Sequence, residues 1–204
     1  MAITYCGIQV ELREVVLRCK PASMLAASAK GTVPVLVTPD VVIDESLDIM
    51  LWCLAQHDPE KWLTPLDPLD ADATKPMQLI QHNDHEFKGH LDRYKYANPK
   101  DLASQIVHRQ KGESFLARLD AMLRNVDCAQ PFLYGDKKTL ADVAILPFIR
   151  QFANVNLEWF NNTPYVHLQR WLHDGTRHQL FLKCMHKYPA WQPGDRPTIF
   201  GPQD

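Results

Sequence analysis

The fold of the first part of the chain is decided by Lys30-Gly31-Thr32-Val33-Pro34-Val35-Leu36-Val37. Gly31 marks a turn, and residues 35–37 are too few and too apolar for anything but a buried strand. A second strand is predicted at residues 41–43, after a proline and an aspartate that favour a turn. This alternation of turns and short apolar strands indicates an α/β domain.

A helix is predicted directly after these strands. It begins at Asp44-Glu45-Ser46 and ends near His57, and its apolar residues recur at i, i+3, i+4 and i+7, which gives one face directed at a core. Upstream, residues 10–17 alternate and then become β-branched, which predicts a strand, and residues 21–27 predict a short helix opened by a proline. The apolar face of the later helix consists of Leu47, Met50, Leu51 and Leu54.

The second part of the chain is predicted to be helical. Residues 58–70 hold three prolines among acidic residues, which is typical of an interdomain linker. We therefore expect a first domain at 1–57, a linker at 58–70 and an all-helical domain at 71–204. Its helices are predicted at 73–96, 101–124, 139 onward, 164–172 and 176–186, with a proline-rich surface tail at 189–204.

One helix start has a specific signal. Thr139 and Asp142 are spaced as a capping box, in which a hydroxyl and a carboxylate satisfy backbone N–H groups at the helix N-terminus. Pro147 lies inside the same helix and should bend it.

Composition excludes several classes of function. The 204 residues are 46% hydrophobic and 23% charged with a net charge of −2, so a buried core is expected and nucleic acid is not an expected partner. The five cysteines have no regular spacing, which indicates neither a disulfide framework nor a zinc motif. Without a signal peptide or a membrane-spanning segment, the sequence predicts a cytoplasmic protein and no membrane association.

Three segments, in this order, are similar to the glutathione transferase family. They are Gly31 to Leu36, the acidic-Ser turn Asp44 to Ser46, and Thr139 to Pro147. The resemblance implies a thioredoxin-like domain, here without its first strand, followed by an all-α domain. It also implies that Val33, Pro34, Glu45 and Ser46 bind glutathione, with a cis peptide bond before Pro34.

The residues themselves are suited to this chemistry. A helix N-terminus presents free N–H donors and about half a positive charge, so the turn at Glu45 and Ser46 could hold a carboxylate. The backbone of Val33 could pair with an extended peptide. The alternative is that Ser46 merely caps a helix and Pro34 merely starts a strand.

The catalytic residue of the family is expected outside this sequence, upstream of Met1. In the family a Ser, Tyr or Cys at the start of the first helix activates the sulfur of glutathione. The family register matches residues 1–7 to the end of that helix, although the same residues also fit a strand. Tyr5 and Cys6 would then lie at the wrong end of the helix for catalysis. We expect the given sequence to be a truncated form of a longer protein, with little activity in transferring glutathione to an aryl halide.

Other candidate residues lie in the helical part. By resemblance Tyr94, Tyr96 and Phe115 line the cleft for a second substrate, with ordinary packing as the alternative. His82, Glu86 and His90 follow at i, i+4 and i+8, a spacing that could present metal ligands, but a solvated helix face is the preferred interpretation and no metal is expected.

The resemblance predicts the function of the full-length protein. It would bind glutathione as a co-substrate and transfer it to an electrophile, or reduce a disulfide substrate, as a homodimer. The alternative is a non-catalytic glutathione-binding or stress-adaptor protein of the same fold. The residue at the start of the first helix would distinguish the two.

Overall fold

The computed structural model describes residues 1–63, 74–98 and 101–202. Residues 64–70 of the expected linker lie outside the described residues. The elements, in chain order, are α1 (Ala2–Tyr5), β1 (Val10–Leu12), α2 (Ala22–Ala27), β2 (Leu36–Val37), β3 (Val42–Ile43), α3 (Ser46–Gln56), α4 (Thr74–His82), a π turn (Asn83–Phe87), α5 (Lys88–Lys95), α6 (Leu102–Arg124), α7 (Leu140–Val155), α8 (Leu157–Asn161), α9 (Val166–Arg177), α10 (Gln179–Cys184) and β4 (Thr198–Phe200).

The chain forms two compact units. The first consists of Met1–Pro59 together with Gln179–Asp204, and the second of Glu60–His178. The sequence predicts instead that everything from residue 71 onward belongs to one helical domain. The last part of the chain groups with the first unit because its backbone bonds to residues near β1.

The strands of the first unit form two antiparallel pairs. Strand β2 pairs with β3, and β1 pairs with β4. Among the described residues, β1 and β2 therefore belong to different two-stranded sheets. Helix α1 is confirmed as a helix, so the alternative strand at residues 1–7 is wrong.

Two predictions about β1 and the tail need correction. Of the strand predicted at residues 10–17, Val10–Leu12 forms β1, and Val16 makes an isolated antiparallel bridge with Cys19. The tail does more than cover the surface, because Thr198–Phe200 forms β4 opposite β1. A β-branched and aromatic triplet suits a strand, and the N–H of Trp191 also donates to the carbonyl of Glu14 at 2.9 Å.

The helix predicted at residues 73–96 contains a π turn. Leu79, Asn83, Phe87 and Leu91 are all buried, at intervals of four residues. An α-helix returns to the same face every 3.6 residues or so, so a four-residue stripe would drift around it. The wider π turn compensates for that drift and keeps the stripe directed at the core.

The core of the second unit lies among α4 to α9. Three fully buried rings meet there: Phe87, Phe115 and Phe152. The ring centroid of Phe87 lies 4.9 Å from that of Phe115 and 5.2 Å from that of Phe152. The shorter helices differ from prediction at their ends, since α9 continues to Arg177 and α10 spans only Gln179–Cys184. In the part of the chain that the structure describes, no helix has the length and apolarity needed to cross a membrane.

Candidate functional site

The β2–β3 hairpin brings the candidate binding residues to one end. Leu36 pairs with Ile43 and Val37 with Val42. Pro34 lies two residues before β2, and Ser46 begins α3 three residues after β3. The Val33–Pro34 peptide bond is cis, as the family resemblance predicts.

Side-chain contacts hold the two sides of this hairpin end together. The Lys30 ammonium lies 2.7 Å from Glu45 Oε1 and 3.1 Å from Asp44 Oδ1. The Ser28 hydroxyl donates to Asp44 Oδ2 at 2.9 Å. The segment before the cis bond therefore lies against the turn that begins α3. Sequence reasoning missed Lys30, whose only signal was a basic residue directly before the Gly31 turn.

The electrostatics of this hairpin end are set by these contacts. The hydrogen bond from Ser28, followed by that from Lys30, lowers the pKa of Asp44, and Glu45 and Asp44 raise the pKa of Lys30. Asp44 and Lys30 therefore both remain charged at neutral pH. Lys30 and Glu45 are exposed and Asp44 is half-buried, so these ion pairs add little to stability and serve mainly to position the turn.

The N-terminus of α3 is available to an anion. Glu45 occupies the N-cap position with extended backbone, but its side chain makes no capping hydrogen bond and instead contacts Lys30. The first-turn N–H groups, beginning at Ser46, therefore lack the carboxylate cap that this position could have provided. Free N–H donors and the helix dipole at a helix N-terminus favour an anion such as a carboxylate or phosphate, so the role predicted for Ser46 stays a prediction.

The candidate binding residues are open to solvent. Val33, Pro34, Glu45 and Ser46 are all exposed, with 46% of Val33 accessible. Among the described residues, neither the N–H nor the carbonyl of Val33 takes part in a backbone hydrogen bond. A ligand at this end can reach both the Val33 backbone and the start of α3.

Tyr5 and Cys6 lie at the C-terminal end of α1, where the sequence places them. The Tyr5 hydroxyl donates to Asp58 Oδ1 at 2.9 Å. Cys6 is buried, and burial, followed by the nearby Cys53 and Asp58, raises the pKa of its thiol to about 11. Burial also raises the pKa of Cys53. Neither thiol supplies a thiolate at neutral pH.

The capping box at Thr139 and Asp142 is confirmed. Asp142 Oδ2 accepts from the Thr139 N–H at 2.9 Å and from its hydroxyl at 2.7 Å. Its other oxygen accepts from the Leu133 N–H and from Trp171 Nε1. Sequence reasoning missed Trp171, which is 29 residues further along the chain and carries no local signal of this contact.

The structure does not bring the three expected cleft residues together. Tyr94 packs on Phe152 with ring centroids 4.9 Å apart, and Phe115 lies between His82 and Phe87. Both are buried in the helical core, whereas Tyr96 is 72% exposed. Of the three, only Tyr96 is placed to meet a second substrate, and that role stays a prediction.

The histidines of the long helix are also separated. His82 Nε2 lies 3.8 Å from Glu86, which is part of the π turn. That turn changes the helical phase before His90, and His90 instead faces His108. Within the described residues, no group of three or more His, Cys, Asp or Glu side chains is arranged to hold a metal ion.

The fold and the hairpin end define a class of protein. A thioredoxin-like unit with a cis-proline turn, combined with a unit of packed helices, is the architecture of glutathione transferases. Residues 1–62 match the family "Glutathione S-transferase, N-terminal domain" and residues 81–174 match "Glutathione S-transferase, C-terminal domain". The chain belongs to the glutathione S-transferase family.

Similar proteins support this assignment. The chain is 30% identical over 155 residues to glutathione S-transferase GstB of Escherichia coli K12, which covers 74% of this chain and 71% of that protein. Two solved structures share the fold. A ternary complex of BphK, a bacterial GST, has a TM-score of 0.73 at 21% identity, with 90% of each chain covered. A glutathione transferase family member from Pseudomonas fluorescens pf-5 with two glutathione molecules bound has a TM-score of 0.74 at 15% identity, with 89% and 84% covered.

Proposed function

We propose that this glutathione S-transferase family protein binds glutathione at the end of the β2–β3 hairpin. The observation that carries the proposal is the uncapped start of α3 beside the exposed Val33 backbone. The glutathione-bound relative from Pseudomonas fluorescens supports the choice of ligand.

Each part of the tripeptide has a partner in this arrangement. The γ-glutamyl carboxylate accepts from the Ser46 hydroxyl and N–H, where the helix dipole favours negative charge. The cysteinyl backbone pairs with Val33 in the manner of an added strand. Glu45 lies beside the γ-glutamyl ammonium and keeps Lys30 as its second partner.

The reaction we propose is transfer of glutathione to an electrophile, or reduction of a disulfide by it. The residues at the hairpin end bind and orient the peptide so that its sulfur points away from the γ-glutamyl anchor. Among the described residues, Cys6 and Cys53 do not form the reacting thiolate, because the pKa of each is raised by burial.

Calorimetric titration with glutathione tests the proposal. Ser46→Ala removes a hydrogen bond to a charged group worth about 1.5–3 kcal/mol, so we expect binding about 10- to 100-fold weaker. Ser114→Ala is the matched control, because the Ser114 hydroxyl donates to the Lys111 carbonyl of its own helix and lies in the other unit. Equal affinities of the two variants would contradict the assigned site.

The finer features of the proposal concern assembly and location. We propose a homodimer in the cytoplasm with a small electrophilic or disulfide second substrate. Sedimentation equilibrium should give twice the mass of the chain, and a monomer at micromolar concentration would count against the dimer. Product analysis with an aryl halide and with a glutathione mixed disulfide distinguishes transfer from reduction, and binding without either product would indicate a non-catalytic role.

A further inference from the structure

Two histidines of the helical unit face each other across neighbouring helices. His90 on α5 and His108 on α6 have their Nδ1 atoms 3.3 Å apart, their ring centroids 5.5 Å apart and an interplanar angle of 28°. The glutathione site proposed above does not use either residue. Both residues are half-buried, so the pair keeps partial access to water.

The separation of the two nitrogens suits a shared metal ion. Zinc binds imidazole nitrogen at about 2.0–2.1 Å in tetrahedral geometry, so two nitrogens on one ion lie about 3.3–3.4 Å apart. The side chains come from two helices that pack against each other, which fixes their spacing better than a loop would. Water can supply the remaining ligands at the open edge.

The charges around the pair decide which metals it can hold. Glu86 lies one turn before His90 and favours a cation, whereas Arg93 and Lys111 oppose one. Neutral imidazole is a ligand for zinc, nickel and copper rather than for magnesium or calcium.

We propose that His90 and His108 form a two-histidine site for a divalent transition metal of the zinc type, which bridges α5 and α6. An ordinary Nδ1–H···Nδ1 hydrogen bond between the rings is the competing account. The two accounts differ in what zinc does to these particular nitrogens, and this can be measured on the intact protein.

The binding experiment is a calorimetric titration of the full chain with Zn²⁺ alone. All proteins carry Cys19→Ser, because Cys19 is an exposed thiol that would bind zinc itself. We expect one equivalent of zinc to bind. His90→Gln and His108→Gln should each weaken zinc binding about tenfold or more. Loss of a group that merely hydrogen-bonds to a metal ligand already weakens metal binding by about that much. His173→Gln, which removes an exposed histidine on α9 beside Asp174, should leave it unchanged.

A second measurement does not depend on the variants folding. In ¹⁵N spectra of the imidazole rings, the Nδ1 resonances of His90 and His108 should move on zinc addition, while the His173 resonances stay in place. The proposal is overturned if zinc does not bind, if its affinity is the same in His90→Gln and His108→Gln, or if the Nδ1 resonances of the pair do not respond.

Discussion

Asp142 is a single residue on which three separate parts of the second unit depend. Its carboxylate is fully buried and accepts hydrogen bonds from Leu133, Thr139 and Trp171. Burial raises the pKa of Asp142, and the bond from Leu133, followed by those from Thr139 and Trp171, acts against that shift. The residue thus fixes the start of α7, the segment before it and a side chain of α9.

Replacement of Asp142 should therefore be costly. Asp142→Ala leaves several buried donors without an acceptor, each costing about 1–3 kcal/mol, so we expect a loss of about 3–5 kcal/mol in the free energy of unfolding by urea. Asp136→Ala changes an exposed aspartate in the same segment and should stay within about 0.5 kcal/mol of the parent. Similar midpoints for the two variants would contradict the role assigned to Asp142.

The raised pKa of Cys6 predicts how the stability of the fold changes with pH. Its pKa is raised from 9.0 to about 11 in the folded protein, so the unfolded chain releases the thiol proton first as pH rises. The contribution of Cys6 to stability is complete below about pH 9 and is lost between about pH 9 and 11. Urea unfolding across this range should show a decline that Cys6→Ala reduces, and the same decline in both proteins would contradict the assignment.

At the scale of elements, the close packing of α6 on its neighbours depends on Gly112. A methyl group at this position would lie 2.6 Å from Phe152 and 3.4 Å from Phe87. Both rings are fully buried within an aromatic cluster and have little room to move. The absence of a side chain at Gly112 is what allows α6 to approach them.

Two glycine-to-alanine variants separate packing from helix propensity. Gly112→Ala should lower the free energy of unfolding by about 1–3 kcal/mol, because overpacking outweighs the gain in helix propensity. Gly89→Ala, on α5, meets no described atom within 4 Å and should raise it by about 0.5–1 kcal/mol. Thermal unfolding of the two variants measures both, and a stabilised Gly112→Ala protein would contradict the packing.

The strands and the helix N-caps show which structural features can be predicted from the sequence. The β2–β3 hairpin, the start of α3 and the Thr139–Asp142 box are local, so residues within a few positions of one another determine them. The pairing of β4 with β1 joins residues about 190 positions apart and leaves no periodic signal. The same applies to Trp171, which reaches Asp142, and to His108, which reaches His90, because only the packing of whole helices brings them together.

Over the whole chain, the proposed glutathione site lies in the first unit, and the packed helical core lies in the second. The site residues were predicted largely by resemblance, since the hairpin end has few features that distinguish it from an ordinary helix start. Lys30 shows the limit of that prediction. Its contact with Glu45 frees the α3 N-terminus from its own N-cap side chain, and this depends on the three-dimensional turn rather than on any motif.

The most direct test is a titration of the ¹⁵N-labelled protein with glutathione, followed through the backbone amide resonances. We expect the largest shifts at the amides of Val33, Ser46 and Leu47, which lie before the cis-proline turn and in the first turn of α3. The proposed site would be contradicted if these three amide resonances did not move, or if the shifts were confined to residues 60–178.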